Sequence, residues 1–334
     1  MQGNLKTAPR RDLNDVRGKG LAMTTAETPD ALQDDAVPEV DLGAREALLD
    51  RLEELTAEEG HFEPVGSRHW ALFEDAGTTL LVTFEQIDTI IASESVMPWG
   101  HSFARERGWS HLCLIADGDT YYRDGAVYRH FDRLVDDAFF EDFDRVLFYG
   151  HGHGAHAACA FAVASPGAHV LALNPRAALA GREVAWDRRN LAARRLDFTS
   201  RYGYAPDMLE GASKVVVVHD LTVREEAMQS ALFRAPWVTR LSAPLMGERI
   251  EWALRHMGVL PQMIDAAMEG RLTHALYAGL WRKRRAFSPY LRALLEKAEG
   301  AKRRTLAIAI CQSVTRRLKA PHFARRLAKL TGEK

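Results

Sequence analysis

The chain has 334 residues, 47% of them hydrophobic and 27% charged, with a net charge of −1. That composition is ordinary for a globular protein and supplies enough apolar side chains for one sizeable core. No stretch is long and apolar enough for a transmembrane helix, and the first residues lack the apolar segment of a secretory signal, so a cytoplasmic protein is expected. The three scattered cysteines, Cys113, Cys159 and Cys311, exclude a disulfide framework and a paired-cysteine zinc module.

Residues 1–43 are rich in charge, Thr, Asp and Pro with few aromatics, the composition of a disordered segment. Met23 lies within it, ahead of TTAETPD, and is an alternative start to Met1. A helix is predicted from Arg45 to about Glu59, on the spacing of Ala47, Leu48, Leu52 and Leu55. Strand-like runs follow at 70–73 and 79–84, with Ala76 and Gly77 as a turn between them. Further strands are predicted at 111–115, 146–149, 169–173, 214–219 and 237–241, with helices near 126–138, 154–164 and 225–232. Short apolar runs alternating with helices predict an α/β fold, a mostly parallel doubly wound sheet covered on both faces. Residues 186–206 are polar and arginine-rich, and read as a surface excursion between two strands.

Beyond Gly258 the strands stop. Met263, Ala267, Leu272, Ala275 and Leu276 fit one helical face, Tyr290, Leu291, Leu294, Leu295 and Ala298 a second, and Leu306, Ala307, Ile310, Cys311, Val314 and Leu318 a third. Pro321 opens a short last helix through Phe323, Leu327 and Leu330. The expected organisation is therefore a segment 1–43, an α/β domain 44–258 and a basic helical region 259–334. Residues 281–334 hold sixteen Lys/Arg and three Asp/Glu, a charge of +13, which leaves −14 on the rest. Such segregation points to an acidic partner: nucleic acid, an anionic surface, or the chain's own acidic body. The basic surface comprises Arg282, Lys283, Arg284 and Arg285 with the pairs Arg303–Arg304, Arg316–Arg317 and Arg325–Arg326. No aromatic interleaving or recognition-helix pattern accompanies it, so solvated helix faces are the simpler reading and nucleic acid is not favoured. Asp136, Asp137, Glu141, Asp142 and Asp144 lack metal-loop spacing and read as an acidic surface loop.

Residues 145–161, RVLFYGHGHGAHAACAF, carry the most informative pattern. An apolar run ends at Tyr149, glycines alternate through Gly150, Gly152 and Gly154, and an alanine-rich helix follows. This is the strand–turn–helix setting of the G-x-S-x-G nucleophile elbow, with glycine where the serine belongs. Acid and base should follow in chain order. Asp220 directly follows the run KVVVVH, at the carboxyl end where an acid is placed. After the next strand Gly247-Glu248 stands where a histidine is expected, and His256 comes too late, inside a helix. Two of the three positions, Gly152 and Glu248, are thus substituted.

These residues resemble the α/β-hydrolase superfamily over about 78–258, above all bacterial members with G-x-S-x-G-G-Y-x-A elbows found among surface-polysaccharide and accessory-secretion proteins. The stretches FEQID, PWGHSFARERGWSHLCLIADGDTYYRD, DDAFFEDFDRVLFYG and RRLDFTSRYGYAPDM are similar to an uncharacterised bacterial family often labelled phosphoadenosine phosphosulfate reductase. That chemistry needs a cysteine in a Glu-Cys-Gly-x-His motif and a glycine-rich phosphate loop. Cys311 sits instead in AICQSV, so the residues contradict the label. The resemblance implies a hydrolase scaffold without its nucleophile.

Other readings of the same turn stay open. His151, His153 and His156 could hold zinc, whose bound water would replace the missing nucleophile in an acyl-ester hydrolase; His219 and Asp220 could join them in space. Gly150, Gly152 and Ala155 also fit a dinucleotide G-x-G-x-x-A pattern. It lies on a late strand, and the next strand ends in Asn174 rather than an acid, so a nicotinamide cofactor is not expected. A helix start fronted by glycines can hold a small anion. The expected site is a ligand cleft at Gly150, His151, Gly152, His153, Gly154 and His156, in a pseudoenzyme that binds a ligand or protein partner.

Overall fold

The computed structural model of the protein describes residues 42–56 and 60–332. The expected disorder of the N-terminal segment and the choice between Met1 and Met23 fall outside these, as does the end of the first predicted helix. Eight strands form one sheet: β1 (Gly60–Pro64), β2 (His69–Glu74), β3 (Thr79–Gln86), β4 (Ser110–Ala116), β5 (Arg145–His151), β6 (His169–Leu173), β7 (Lys214–His219) and β8 (Val238–Ser242). Their spatial order is β1-β2-β4-β3-β5-β6-β7-β8. The β1–β2 and β2–β4 pairs are antiparallel, and every pair from β4 to β8 is parallel. Strands β2 and β3 are not neighbours, although the turn at Ala76 and Gly77 joins them; β4 lies between, held in parallel register with β3.

The helices are α1 (Leu42–Thr56), α2 (Ile87–Ile91), α3 (Trp99–Arg105), α4 (Gly125–Asp136), α5 (His153–Phe161), α6 (Arg224–Ser230), α7 (Ile250–His256), α8 (Leu260–Met268), α9 (His274–Leu280), α10 (Ser288–Gly300), α11 (Arg304–Arg317) and α12 (Pro321–Thr331). Alternation along the strands decides which helix covers which face. On one face Val82, Phe84, Phe148 and Val170 pack with α4 and α5. On the other Leu81, Leu147, Leu171 and Val216 pack with α7 and α8. At the antiparallel edge Leu48 and Leu52 of α1 and Ile87 and Ile90 of α2 cover Leu72, Cys113 and Ile115.

Helix α4 follows from its sequence. Asp124 caps it, Oδ1 accepting from Ala126 N at 2.7 Å. Its Val127, His130, Phe131 and Leu134 are buried on one face at the spacing a helix requires. Phe131 stacks on Phe161 of α5, centroids 4.2 Å apart. Losing either ring would cost on the order of 3–5 kcal/mol.

Helices α8 and α9 do not belong to a separate region. Leu260, Met263, Ile264, Tyr277 and Trp281 are buried in the same cluster as the sheet residues Leu171 and Val216. The expected division at 258/259 therefore runs through a packed layer. A helical cluster of its own begins with α10, where Leu291, Leu295, Ala307, Ile310, Val314 and Phe323 close on one another. The excursion between β6 and β7 also carries more than a polar surface. Its Val184, Ala193 and Phe198 bury against Tyr121, beside α5.

Candidate functional site

Strand β5 ends at His151, and α5 begins at His153. Gly152 between them has φ 55° and ψ −111°, close to the mirror image of a type II turn's first central residue, a conformation that strains any side chain. Its N–H donates to Leu173 O at 2.9 Å, and its carbonyl accepts from His156 N at 3.2 Å. The flanking glycines serve close packing. A Cβ on Gly150 would lie 2.1 Å from Gly154 O, and one on Gly154 would lie 2.3 Å from Phe84 O. A Cβ on Gly152 would meet nothing within 4 Å. Of the three, only the central position has room for a side chain, and it has none.

Asp220 follows β7, and its carboxylate is fully engaged. Oδ1 accepts from Thr222 N at 2.7 Å and Thr222 Oγ1 at 2.6 Å. Oδ2 accepts from Met246 N at 2.7 Å and Gly247 N at 2.8 Å. Burial opposes its ionisation, but these hydrogen bonds overcome that and hold its pKa below the usual carboxylate value. Asp220 thus grips the backbone of the loop after β8. Glu248 is next in that loop, 80% exposed, its carboxylate 4.0 Å from Arg176 Nη2. His256 is exposed on α7 against Trp252, as its helical placement implied.

The three clustered histidines do not converge. His151 Nδ1 lies 3.7 Å from Glu251 Oε2. His153 Nδ1 is bonded to Gln86 Nε2 at 3.1 Å, lies 3.4 Å from Asp119, and its ring packs on Tyr121. His156 is buried, and its Nδ1–H donates to Arg176 O at 2.9 Å. The turn at Gly152 aims His151 and His153 at different neighbours, and the first turn of α5 carries His156 inward, so the structure brings no shared centre together. His219 is likewise committed, its Nδ1 bonded to Ser230 Oγ at 3.0 Å. Burial pushes His153 and His156 down to about 4.

A cavity of about 260 Å³ opens beside the elbow, at the carboxyl ends of β3 and β5, where ligands of open α/β sheets bind. Gly150, His151, His153 and Gly154 line it; Gly152 and His156 do not. The other walls are Glu85 and Gln86 of β3, Trp99 and Ser102 of α3, and Glu251 and Arg255 of α7. Glu85 accepts from Trp99 N at 2.8 Å and Gly100 N at 2.9 Å; burial, with Glu251 nearby, pushes its carboxyl up. Tyr149 OH donates to Glu251 Oε1. Sequence reading missed Glu85, Glu251 and Arg255. Glu85, a polar residue closing an apolar strand, was findable there; Tyr149 and Glu251 are 102 residues apart, and nothing local announces that pair.

Behind the elbow a polar network spans the β6–β7 excursion and α6. Asp187 is fully buried, with Arg189 Nη2 at 2.8 Å and Arg176 Nη1 at 3.5 Å. Glu226 Oε2 accepts from Asp220 N at 3.1 Å, and burial pushes Glu226 up to about 7. His156 Nε2 and Asn174 Oδ1, both close to the elbow, are buried without a hydrogen-bond partner.

The mostly parallel eight-stranded sheet, its strand order and the helices on both faces agree on one scaffold. The fold is of the α/β-hydrolase type. No family model matches the chain, and no curated protein is similar to it. Solved structures similar to it include acetyl xylan esterase 1 from Thermoanaerobacterium sp. JW/SL YS485, at 12% identity and TM-score 0.38, covering 66% of this chain and 92% of that one. Alpha/beta hydrolase domain-containing protein 10 from mouse has 12% identity and TM-score 0.39, covering 64% and 99%. A capsule O-acetyltransferase of Neisseria meningitidis serogroup A has 12% identity and TM-score 0.39, covering 63% and 100%. Cys311 is buried in the α10–α12 cluster.

Arg282, Lys283, Arg285, Arg303, Arg304, Arg316, Arg317 and Arg325 are exposed. Arg284 is half-buried, its guanidinium over Trp281 and Tyr290. Among the described residues beyond 280, Arg326 is the one cation paired with a carboxylate, that of Glu299. The acidic stretch before β5 is exposed at Asp136, Asp137, Glu141, Asp142 and Asp144. No helix among the described residues is long and apolar enough to cross a membrane.

Proposed function

We propose that this chain is a catalytically degenerate α/β-hydrolase-type protein that binds a small polar ligand in the cavity beside its elbow. The carrying observation is Gly152: a residue in the strained elbow conformation, with open space before its Cα and no side chain to attack. Two further observations support the reading. The carboxylate of Asp220 is committed to backbone N–H groups, and the loop it holds carries Glu248 in place of a base. Arg255, His151 and the hydroxyl of Ser102 on the cavity wall suit a ligand with anionic or hydroxyl groups.

The test is hydrolysis of a panel of short acyl esters by the unmodified protein, with and without zinc, beside Gly152→Ser. A thermal-shift screen of small carboxylates, phosphates and polyols runs in parallel. Silence from the unmodified protein, with a stabilising ligand whose effect is lost in Arg255→Ala, is the expected result. Turnover by the unmodified protein, dependent on zinc or on a serine elsewhere, would overturn it in favour of an ester hydrolase.

A second reading concerns the basic helices, and their exposed cations without carboxylate partners favour it. Binding of a polyanion through α10–α12 would weaken steeply with salt. Duplex DNA, RNA and anionic vesicles, each titrated at two ionic strengths with the full chain and an Arg303→Glu/Arg316→Glu variant, distinguish the sources. Binding unaffected by the charge reversal would dismiss this reading.

A further inference from the structure

Beneath the cavity wall, β3 and β4 bring four polar side chains onto one face of the sheet. Thr83 pairs with Cys113 and Glu85 with Ile115 in parallel register. Residues two apart on a strand share a face, so Thr83 and Glu85 lie beside His111 and Cys113. Thr83 Oγ1 is 2.9 Å from His111 Nε2 and 3.3 Å from Glu85 Oε1. One ligand atom each from Glu85, His111 and Cys113 lie within 4.8 Å of one another, the one such trio among the described residues. Gly100 makes the close approach feasible: a Cβ there would lie 2.4 Å from His111 Nε2.

Among the described residues no cation is bonded to the trio, although Arg255 lines the adjoining cavity. His111 is 1% exposed and its Nδ1 has no hydrogen-bond partner. Cys113 is fully buried. The Glu85 carboxylate bonds two backbone N–H groups, and no Lys or Arg among the described residues pairs with it. An ionised carboxylate in this half-buried position gains from a counter-charge.

A carboxylate, an imidazole and a thiolate form a mixed oxygen, nitrogen and sulfur donor set, suited to zinc-class ions and unsuited to calcium or magnesium. We propose that Glu85, His111 and Cys113 bind one divalent transition-metal ion of the zinc class, with its open position toward the cavity that Glu85 and Thr83 line. Binding forms a sulfur–metal bond as the Cys113 S–H proton leaves to solvent. One thiolate and one carboxylate then neutralise the dication, so the buried centre carries no net charge. The Thr83 hydroxyl, which bridges two of the donors, gives up those bonds to the ion. The site is distinct from the His151, His153 and His156 grouping and holds whether or not the cavity binds a small ligand.

The test uses tag-free, full-length protein, stripped with a chelator and titrated with zinc in competition with a chromogenic chelator, then with cobalt(II). The expected result is one ion per chain and a thiolate-to-cobalt charge-transfer band. That band disappears in Cys113→Ser and survives in His153→Ala/His156→Ala. Zinc affinity should fall in Glu85→Gln by more than the roughly 10- to 100-fold that outer hydrogen-bond partners contribute. Circular dichroism and thermal unfolding of each variant separate lost binding from lost folding. Should Cys113→Ser fail to fold, the band in the unmodified protein and its loss in Glu85→Gln carry the decision. Less than stoichiometric binding, a cobalt spectrum without the thiolate band, or a band that persists in folded Cys113→Ser overturns the proposal.

Discussion

Asp220 Oδ2 accepts a hydrogen bond from Gly247 N at 2.8 Å, so the acid position of the scaffold holds the backbone just ahead of Glu248. In a working triad the same carboxylate orients a histidine ring. Here the carboxylate accepts from the backbone N–H groups of Met246 and Gly247 instead, and stabilises the loop.

That role predicts a stability phenotype. Asp220→Ala leaves the N–H groups of Thr222, Met246 and Gly247 without their acceptor. We expect a loss of about 2–4 kcal/mol in urea unfolding, from hydrogen bonds to a charged group. Asp220→Asn should lose less, and Glu248→Ala should stay within about 0.5 kcal/mol, as an exposed residue. Equal effects of Asp220→Ala and Glu248→Ala would contradict the assignment.

The three elbow glycines should separate cleanly. Gly152→Ala has open space and incurs the backbone strain alone, about 1–2 kcal/mol. Gly150→Ala and Gly154→Ala force a methyl against a carbonyl oxygen and should destabilise by more than about 3 kcal/mol or prevent folding. Chemical denaturation of the three variants checks the order. A Gly152 variant worse than both flanking variants would refute the packing argument.

Acid should destabilise the fold through its buried histidines. Burial lowers His69 and His156 from the ordinary 6.5 to about 4. The unfolded chain then binds more protons than the folded one between those values, so stability falls as pH drops from about 6.5 toward 4. Urea midpoints across that interval should decline, and His156→Leu should flatten the decline. A midpoint constant from pH 6.5 to 4 would speak against neutral buried rings.

Glu226 acts with the opposite sign. Its folded pKa is raised to about 7 by burial, so its stabilising contribution is present at low pH and is lost as pH rises through 7. Glu226→Gln keeps an oxygen for Asp220 N and cannot ionise. We expect this variant to gain stability relative to the unmodified protein between pH 5 and 8. A difference independent of pH would show that Glu226 titrates normally.

Much of the scaffold was legible without coordinates. KVVVVH and RVLFYG announce buried parallel strands because a strand covered on both faces is apolar at every position. Gly150, Gly152 and Gly154 announced a tight turn between a strand and a helix, which β5 and α5 form. Strand β1 and the short helices α2 and α3 escaped, for GHFEP, IDTII and WGHSFAR are too short to display a period. Helices were recognised after Gly258, but Met263 to Leu276 reads as one face where the chain breaks into α8 and α9, and their packing was not foreseen. Periodicity reveals which face of α8 is apolar and says nothing of what covers it.

The sequence by itself determined that Gly152 has no side chain and that a glutamate, not a histidine, follows Gly247, because these are statements about which atoms exist. Only the tertiary structure decided that Asp220 turns to a loop backbone, that the three histidines part company, and that Glu85, His111 and Cys113 meet. Such pairings depend on strand order and register, which long-range packing sets and local side-chain pattern does not encode.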